Sequence, residues 1–560
     1  MELNNYLAYS KQIFEMFLVT TADQRFWKTD EKILFLGEWC RLYEQKSIWS
    51  ELNQEVLPWH WYDRAKLIRD AQYIQDLNNK ILPILASKLN TLHGVDHSCR
   101  YWRIILGNWL HYFVGAFFDR FSSVQNAIDV KKITHTWVPA QDITSYVSKN
   151  FTEFENWLGQ DSYNFLIYSW IIQQLKVIPF EIKNDIKEPI SLENISSKTS
   201  LNWKDIFKKV IEECSCFIPD RFNQVVFCGF KLKPWNLACL QVALGQIPYL
   251  RGPQVDIPQT PINGELRKKL GLSFAENLFE ELLEKIVPMQ IPKAYIEGYW
   301  EMNHRSLRAF PKSPKLICSS VGIYFHEGFK FWAAAMVDQG TQLIGSQHGG
   351  HYGSNLISSK EDHEIACSNR FFSWGWKKEN TSKVTPLPSA QLAETFQSLK
   401  SNPKGSILFV DLEDFLQIKS VASGHLGPTM IKRLASNQCF VEGLLPEVRK
   451  LLFVRLHPAD RGWGSEERWK EFDSNIFVYR GKESVFRQLN RSRLLIVSYN
   501  STTHLETLAA NFPTLFFWKP DLTELRPLAQ EHHDSMCSVG VFHESPESAA
   551  EKLNQIYEDT

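Results

Sequence analysis

The feature that most constrains this chain is a regular alternation of short apolar runs and helical stretches in its last third. From residue 406 onward, 406–410, 451–456, 476–479, 494–497 and 514–518 each read as a strand. Helical stretches at 430–450, 466–472, 484–490 and 501–511 separate them, and two more, near 522–531 and 546–557, close the chain. Continuous apolar runs are buried on both faces rather than one. Short strands of that kind with helices between them make a parallel sheet covered on both sides.

The same beat is visible, less regularly, upstream. A strand at 315–324, a helix at 327–339 and strands at 342–345 and 371–375 are expected, followed by a polar stretch, 378–405, with Pro386, Pro388, Pro403 and Gly405. That stretch reads as an interdomain linker. Nearer the start, 32–39 reads as the first strand of an α/β layer, and 63–89, 101–121 and 151–175 have helical spacing. Residues 177–200 read as a surface excursion, and 225–230 and 247–250 as further strands. The expectation is an α/β protein in two parts: an N-terminal domain, 1–400, with a large helical insertion over about 60–220, and a C-terminal domain, 401–560.

Composition narrows the function. With 560 residues, two or three domains are expected. Lys and Arg number 62 against 63 Asp and Glu, so the chain lacks the basic field of a general nucleic-acid binder. No apolar run reaches the ~18 residues that span a bilayer. The first residues carry no basic segment ahead of an apolar one, so a cytoplasmic protein with at most peripheral membrane association is expected. Ten Cys are scattered, with Cys214 and Cys216 the close pair and no C-x-x-C, which excludes a recognisable zinc finger and fits reduced thiols. Aromatic residues make up 13% of the chain, including 19 Trp. They serve as core filling or as stacking platforms for sugars.

In open α/β sheets ligands sit beyond the carboxyl ends of the strands, and four strand ends carry polar groups. The richest is Val497-Ser498-Tyr499-Asn500-Ser501-Thr502-Thr503-His504-Leu505-Glu506. One hydroxyl there would cap the following helix. Ser498, Ser501, Thr502 and Thr503 exceed that need, and with the helix amides they suit a phosphate. Arg455-Leu456-His457-Pro458 follows another strand, and His457 suits phosphate binding or leaving-group protonation. In Gly345-Ser346-Gln347-His348-Gly349-Gly350-His351, the glycines allow close backbone approach and the histidines offer proton-handling groups. A metal is not expected there, because no Asp, Glu or Cys follows at an obvious ligand spacing. Glu38, Glu327 and the trio Asp411, Glu413 and Asp414 also lie at strand ends, where a first-turn helix acid is the plain alternative. The chain has no P-loop, no dinucleotide-binding glycine fingerprint and no nucleophile elbow.

His457-Pro458, with Ser498, Ser501-Thr502 and Glu506, resembles the paired motifs of sialyltransferase-like GT-B enzymes, a group that includes polysialyltransferases and Kdo transferases. Thr20-Thr21-Ala22-Asp23-Gln24-Arg25-Phe26-Trp27, Leu34-Phe35-Leu36-Gly37-Glu38-Trp39-Cys40, Tyr101-Trp102-Arg103 and Ser346-Gln347-His348-Gly349-Gly350 resemble a family of surface-carbohydrate transferases. The resemblance implies a GT-B-like fold, two Rossmann-like domains facing a central cleft, and a CMP-activated Kdo-like or other nonulosonic acid as donor. It places His457, Ser498, Ser501 and Thr502 on the CMP phosphate, with Arg455, Asn500 and Thr503 in the same site and Glu506 at the ribose or nucleotide end. His348, with Glu38 or Glu327, falls on the acceptor side as the catalytic group, and Gln347, Gly349, Gly350 and Asp411 complete the cleft.

Neutral and His donors on a departing phosphate can take over a metal's electrostatic role. The expected partners are therefore a nucleotide-sugar co-substrate and a glycan or lipid-linked glycan acceptor, with no cofactor and no metal. A CDP-polyol phosphotransferase and a non-catalytic glycan- or nucleotide-binding scaffold stay open at this point, as does a homodimer through the helical region 63–175.

Overall fold

The structure is a computed structural model, and it describes residues 15–130, 132–184, 222–248, 253–379, 381–396, 398–481 and 483–559. The N-terminal segment, the Cys214/Cys216 pair, most of 177–200 and the second half of 247–250 lie outside the described residues.

Among the described residues three sheets form, every strand pair in them parallel. The first comprises β1 (Glu15–Val19), β2 (Ile33–Phe35), β3 (Gln54–Val56), β4 (Lys132–Pro139) and β5 (Phe180–Lys183), in the order β3-β2-β1-β4-β5. The second comprises β6 (Val225–Cys228), β7 (Leu316–Ser319), β8 (Gln342–Ser346), β9 (Arg370–Trp374) and β10 (Val384–Leu387), in the order β10-β9-β8-β7-β6. The third comprises β11 (Ser406–Val410), β12 (Leu452–Arg455), β13 (Phe477–Tyr479), β14 (Ser492–Val497), β15 (Thr514–Phe517) and β16 (Phe542–His543). Its order, β13-β12-β11-β14-β15-β16, reverses between β11 and β14. Such a reversal opens the crevice in which doubly wound sheets bind ligands.

The second and third sheets meet through their strand-end loops and make the expected GT-B-like pair of Rossmann-like units. The N-terminal part is larger than one such unit, because β1–β5 form a sheet of their own. The region expected to be a helical insertion supplies the long helices Arg64–His93 and Cys99–Val130, and then β4 and β5. Asp63 caps the first of these by accepting from the Lys66 amide at 3.0 Å, and Gly94 ends it in the left-handed region at φ 64°. Helix Cys99–Val130 is apolar over most of its surface and buries Trp102, Trp109, Phe113 and Phe117. One hydrophobic cluster therefore joins the first and second sheets, while the third sheet has separate cores on its two faces.

Several expected boundaries are corrected. The stretch 378–405 is not a linker. It contains edge strand β10 and a helix, Ala390–Phe396, whose Gln391 donates to Glu506 at 2.9 Å. Pro386 fits there because an edge strand tolerates a missing N–H. The single helix expected over 151–175 is two, Phe151–Trp157 and Asp161–Leu175. At the break, a side chain on Gly159 would strike the Phe415 ring at 2.5 Å. The helix expected near 522–531 instead runs Pro527–Ser538, started by proline in its first turn.

Fully buried Arg120 ties the first unit to the third. It donates to Asn164 Oδ1 at 2.9 and 3.0 Å, to Asp119 at 2.9 Å and to the Ile418 carbonyl at 2.8 Å. Arg120→Met should lower stability by about 3–5 kcal/mol, because buried Asp119 would lose its arginine and keep only Trp59 and His60 as partners. Urea denaturation measures this, and a loss below about 1 kcal/mol would contradict the assignment.

Candidate functional site

Register sets the site. Val410 pairs with Arg455 on one side and Val497 on the other, so Asp411, His457 and Ser498 leave adjacent strands at one edge of the third sheet. Across the cleft, β8 ends at Ser346 and delivers the His-Gly segment to the same place. The Gly350 amide donates to Thr502 Oγ1 at 2.9 Å, and Asn500 Nδ2 donates to Ser354 Oγ and Asn355 Oδ1, each at 2.9 Å. A Cβ on Gly350 would lie 2.5 Å from the Ser501 carbonyl oxygen, so glycine is required at this crossing.

The surplus of hydroxyls at 498–503 acquires a structural use. Ser501 caps the helix Thr502–Ala509, with its amide donating to His504 Nδ1 at 3.3 Å. Thr502 and Asn500 bridge the cleft, and buried Ser498 accepts from Arg433 at 3.4 Å. The Thr503 carbonyl accepts from Thr507 at 3.2 Å. Glu506 is buried, and that burial raises its carboxyl pKa. Asp411 is held below the floor of the cleft by Arg433, Asn437 at 3.0 Å and Trp469 at 3.0 Å. Arg455 is committed to Gln488 and to the Glu483 carbonyl at 2.7 Å. His457 is partly exposed and accepts from the Ala459 amide at 3.1 Å, while its own carbonyl accepts from Arg480 at 3.0 Å.

The expected acceptor-side groups do not converge. Gln347 is structural: it accepts from the Trp374 amide at 2.8 Å and from Trp376 Nε1 at 2.7 Å, and donates to the Gly349 carbonyl at 2.8 Å. Glu38 pairs with Arg41 at 2.7 Å on the first unit. Glu327 is buried, paired with Lys330 at 2.9 Å, and accepts from Tyr295 at 3.0 Å and the Phe151 amide at 3.1 Å. The carboxyl beside His348 belongs instead to Glu364, 3.7 Å away, which also accepts from Tyr352 at 2.8 Å. Burial pushes His348 down to about 3, so it is neutral near pH 7, and raises the Glu364 carboxyl well above its ordinary value.

Between the three units lies a cavity of about 290 Å³. The first unit contributes Tyr112 and Glu155, and the second contributes His351 and Lys360. The third contributes Asp414, Lys419, His425, Tyr499 and Asn500. Lys419 pairs with Glu155 at 2.9 Å. Burial raises the Asp414 carboxyl above its ordinary value and pushes His351 down to about 4 and His425 to about 3. Neither ring nitrogen of His425 has a hydrogen-bond partner among the described residues. Asp414 is among the strand-end carboxylates that the sequence offers, whereas sequence reasoning missed Lys360, Glu364 and Lys419. In the sequence they sit inside ordinary charged stretches such as Lys360-Glu361-Asp362, which read as solvated helix faces.

Among the described residues, no group of three His, Cys, Asp or Glu is placed to hold a metal ion. None of the described helices is long and apolar enough to cross a membrane.

A family model described as LIC12162 family transferase matches residues 16–560. The chain belongs to the LIC12162 family of transferases. No protein of curated function matches it. Among solved structures, this LIC12162 family member has a distant likeness to a candidate UDP-N-acetylglucosamine 2-epimerase from Listeria monocytogenes. The identity is 11% and the TM-score 0.36, over 60% of this chain and 88% of the other. It is similarly distant from S. aureus MnaA, solved with UDP (9% identity, TM-score 0.31, 60% and 87% coverage). For Acinetobacter baumannii MurG the values are 12%, 0.28, 60% and 90%. Likenesses at these scores carry no argument about substrate.

Two outcomes follow for the LIC12162 family site. Gly350→Ala should unseat the His-Gly segment from Ser501 and cost about 1–3 kcal/mol through overpacking. Hydrogen exchange at residues 347–354 reads the change, and unaltered protection there would contradict it. His348, His351, His425 and His504 are all held neutral well below 6.5, His504 at about 3. The unfolded chain therefore binds more protons than the folded one between about pH 6.5 and 4, and stability falls as pH drops through that window. The urea midpoint should be lower at pH 5 than at pH 7; an equal or higher one would contradict the assignment.

Proposed function

We propose that this LIC12162 family transferase is a glycosyltransferase. In this reading it moves a Kdo-like or other nonulosonic acid from a CMP-activated donor to a surface glycan or its lipid-linked precursor, on the cytoplasmic side of the membrane. The observation that carries the reading is the polar cavity of about 290 Å³ beside the reversal between β11 and β14, closed by the His-Gly segment. Ligand pockets of small-molecule enzymes run from ~300 to 1,000 Å³. The cavity thus suits one sugar ring, with the nucleotide outside it along the third sheet.

The chemistry assigns roles. An acceptor hydroxyl oxygen attacks the anomeric carbon while the bond from that carbon to the phosphate oxygen breaks, and CMP departs with the electron pair through an oxocarbenium-like state. The acceptor's proton needs a base. Asp414 replaces Glu38 and Glu327 in that role: it lines the cavity, and burial strengthens it as a base. His351, neutral at pH 7, lines the same cavity, whereas His348 lies behind it against Glu364 and acts as a positioning residue. His457 and the Ser498–Thr503 group remain the proposed phosphate side, with the bridges from Asn500 and Thr502 opening when the donor enters.

The test is CMP release from CMP-Kdo and CMP-N-acetylneuraminate, with CDP-glycerol in parallel. Turnover of a CMP-sugar is expected, with kcat lowered about 10²–10⁴-fold by Asp414→Asn and KM changed far less. Turnover of CDP-glycerol alone would refute the reading. Full kcat in Asp414→Asn would refute the role of Asp414.

A further inference from the structure

One of the two lysines of the cavity has no carboxylate in direct contact among the described residues. Lys360, in the first turn of helix Ser359–Cys367, reaches the cavity wall and lies 5.7 Å from the centre of the Tyr112 ring. The Tyr112 hydroxyl and, from beyond ion-pair distance, Glu155 and Glu364 favour its charge, and among the described residues no carboxylate pairs with it directly. The second cation of the cavity, Lys419, is matched by Glu155 at 2.9 Å. Both lysines are half-buried at the cavity wall, and Lys360, without a carboxylate in direct contact, is the one open to an incoming anion.

A second observation points the same way. The His425 imidazole lines the same cavity, is buried, and has no partner at either nitrogen. Buried polar atoms in native proteins are seldom left unbonded. Ser359, Ser420 and Ser423 add hydroxyls to the lining. A cation, an idle imidazole and hydroxyls around a space the size of one sugar form a site for a small oxyanion.

We propose that Lys360, supported by His425, is the anion subsite of this transferase and takes an oxyanion carried by the substrate. This rests on the glycosyl-transfer reading and assigns the anion of its acidic sugar, or of the donor phosphate, a contact inside the cavity. The carboxylate of a sugar acid and the phosphate of the donor share this chemistry. The first unit thereby enters the site, since Tyr112 and the Glu155–Lys419 pair wall the anion in. Asp414, on the same cavity, opposes the anion by charge.

The experiment is calorimetric binding to the full chain of N-acetylneuraminic acid, its methyl ester, CMP and inorganic phosphate. Lys360→Met, Lys360→Arg and Asp414→Asn are compared after circular dichroism and thermal melting confirm folding. Loss of about tenfold or more in affinity for the acid in Lys360→Met, with the ester weak in both proteins, assigns the subsite to the sugar carboxylate. The same loss for CMP and phosphate alone assigns it to the donor phosphate. Lys360→Arg should recover most of the lost affinity, and Asp414→Asn should tighten anion binding. Unchanged affinity for all four probes in Lys360→Met overturns the proposal. Lys360-dependent binding without turnover of any CMP-sugar would defeat the glycosyl-transfer reading and leave the anion subsite standing. Turnover with unaltered kcat/KM in Lys360→Met would do the reverse.

Discussion

The architecture depends on one short seam of backbone. Residues 354–358, just past the His-Gly segment, lie between two stretches of the third unit. Leu356 donates to the Glu524 carbonyl at 2.9 Å, and Arg526 donates to the Ser354 carbonyl at 2.9 Å. On the other side Ser423 donates to the Ile357 carbonyl at 3.0 Å, and Ile357 donates to Ser423 Oγ at 2.9 Å. Four such bonds contribute about 2–6 kcal/mol together. Arg64, at the start of a first-unit helix, clamps the seam from outside by bonding Glu524 and the Gly424 carbonyl at 3.2 Å. The cavity exists because this seam holds three units at one point.

What the seam positions is kept rigid by burial rather than by surface pairs. Helix Cys99–Val130 runs under the first and second sheets and packs against helices of both. The aromatic surplus is mostly spent here and in the neighbouring cores. Trp39, Trp61, Trp102, Trp109, Trp332 and Trp469 are among the largest fully buried side chains, so these residues fill volume and do not form an open stacking platform. Where polar groups are buried they are mostly bonded, as at Glu327–Lys330 and Asp411–Arg433. Among the unpartnered exceptions, His425 and Thr523 line the cavity.

Legibility in the sequence followed the range of the interactions. In the third sheet, strand type and order depend on local apolar runs, and β11 to β15 fall within a residue or two of where the pattern puts them. The edge strand β10 was read as a linker, since its prolines are a local signal and its pairing with β9 is not. The separate first sheet was hidden for a similar reason: β1 and β4 pair across more than a hundred intervening residues. The strand-end rule found the His-Gly and Ser/Thr segments, which do meet. It could not separate capping and bridging hydroxyls from ligand-binding ones, nor show that Glu38 and Glu327 spend their charge on Arg41 and Lys330. Lys360 and Glu364 become candidates, and Asp414 separates from its neighbours Asp411 and Glu413, only once three distant segments are placed around one space.

The central claim is that chemistry occurs where the three units converge. A crystal structure with CMP bound tests it most directly. The account predicts the CMP phosphate at the mouth of the central cavity, within hydrogen-bonding reach of the 498–503 strand end or His457, with the cavity beyond it open for the sugar. CMP bound instead at the first sheet's own reversal, beside Thr20 and Thr21 at the end of β1, would contradict it.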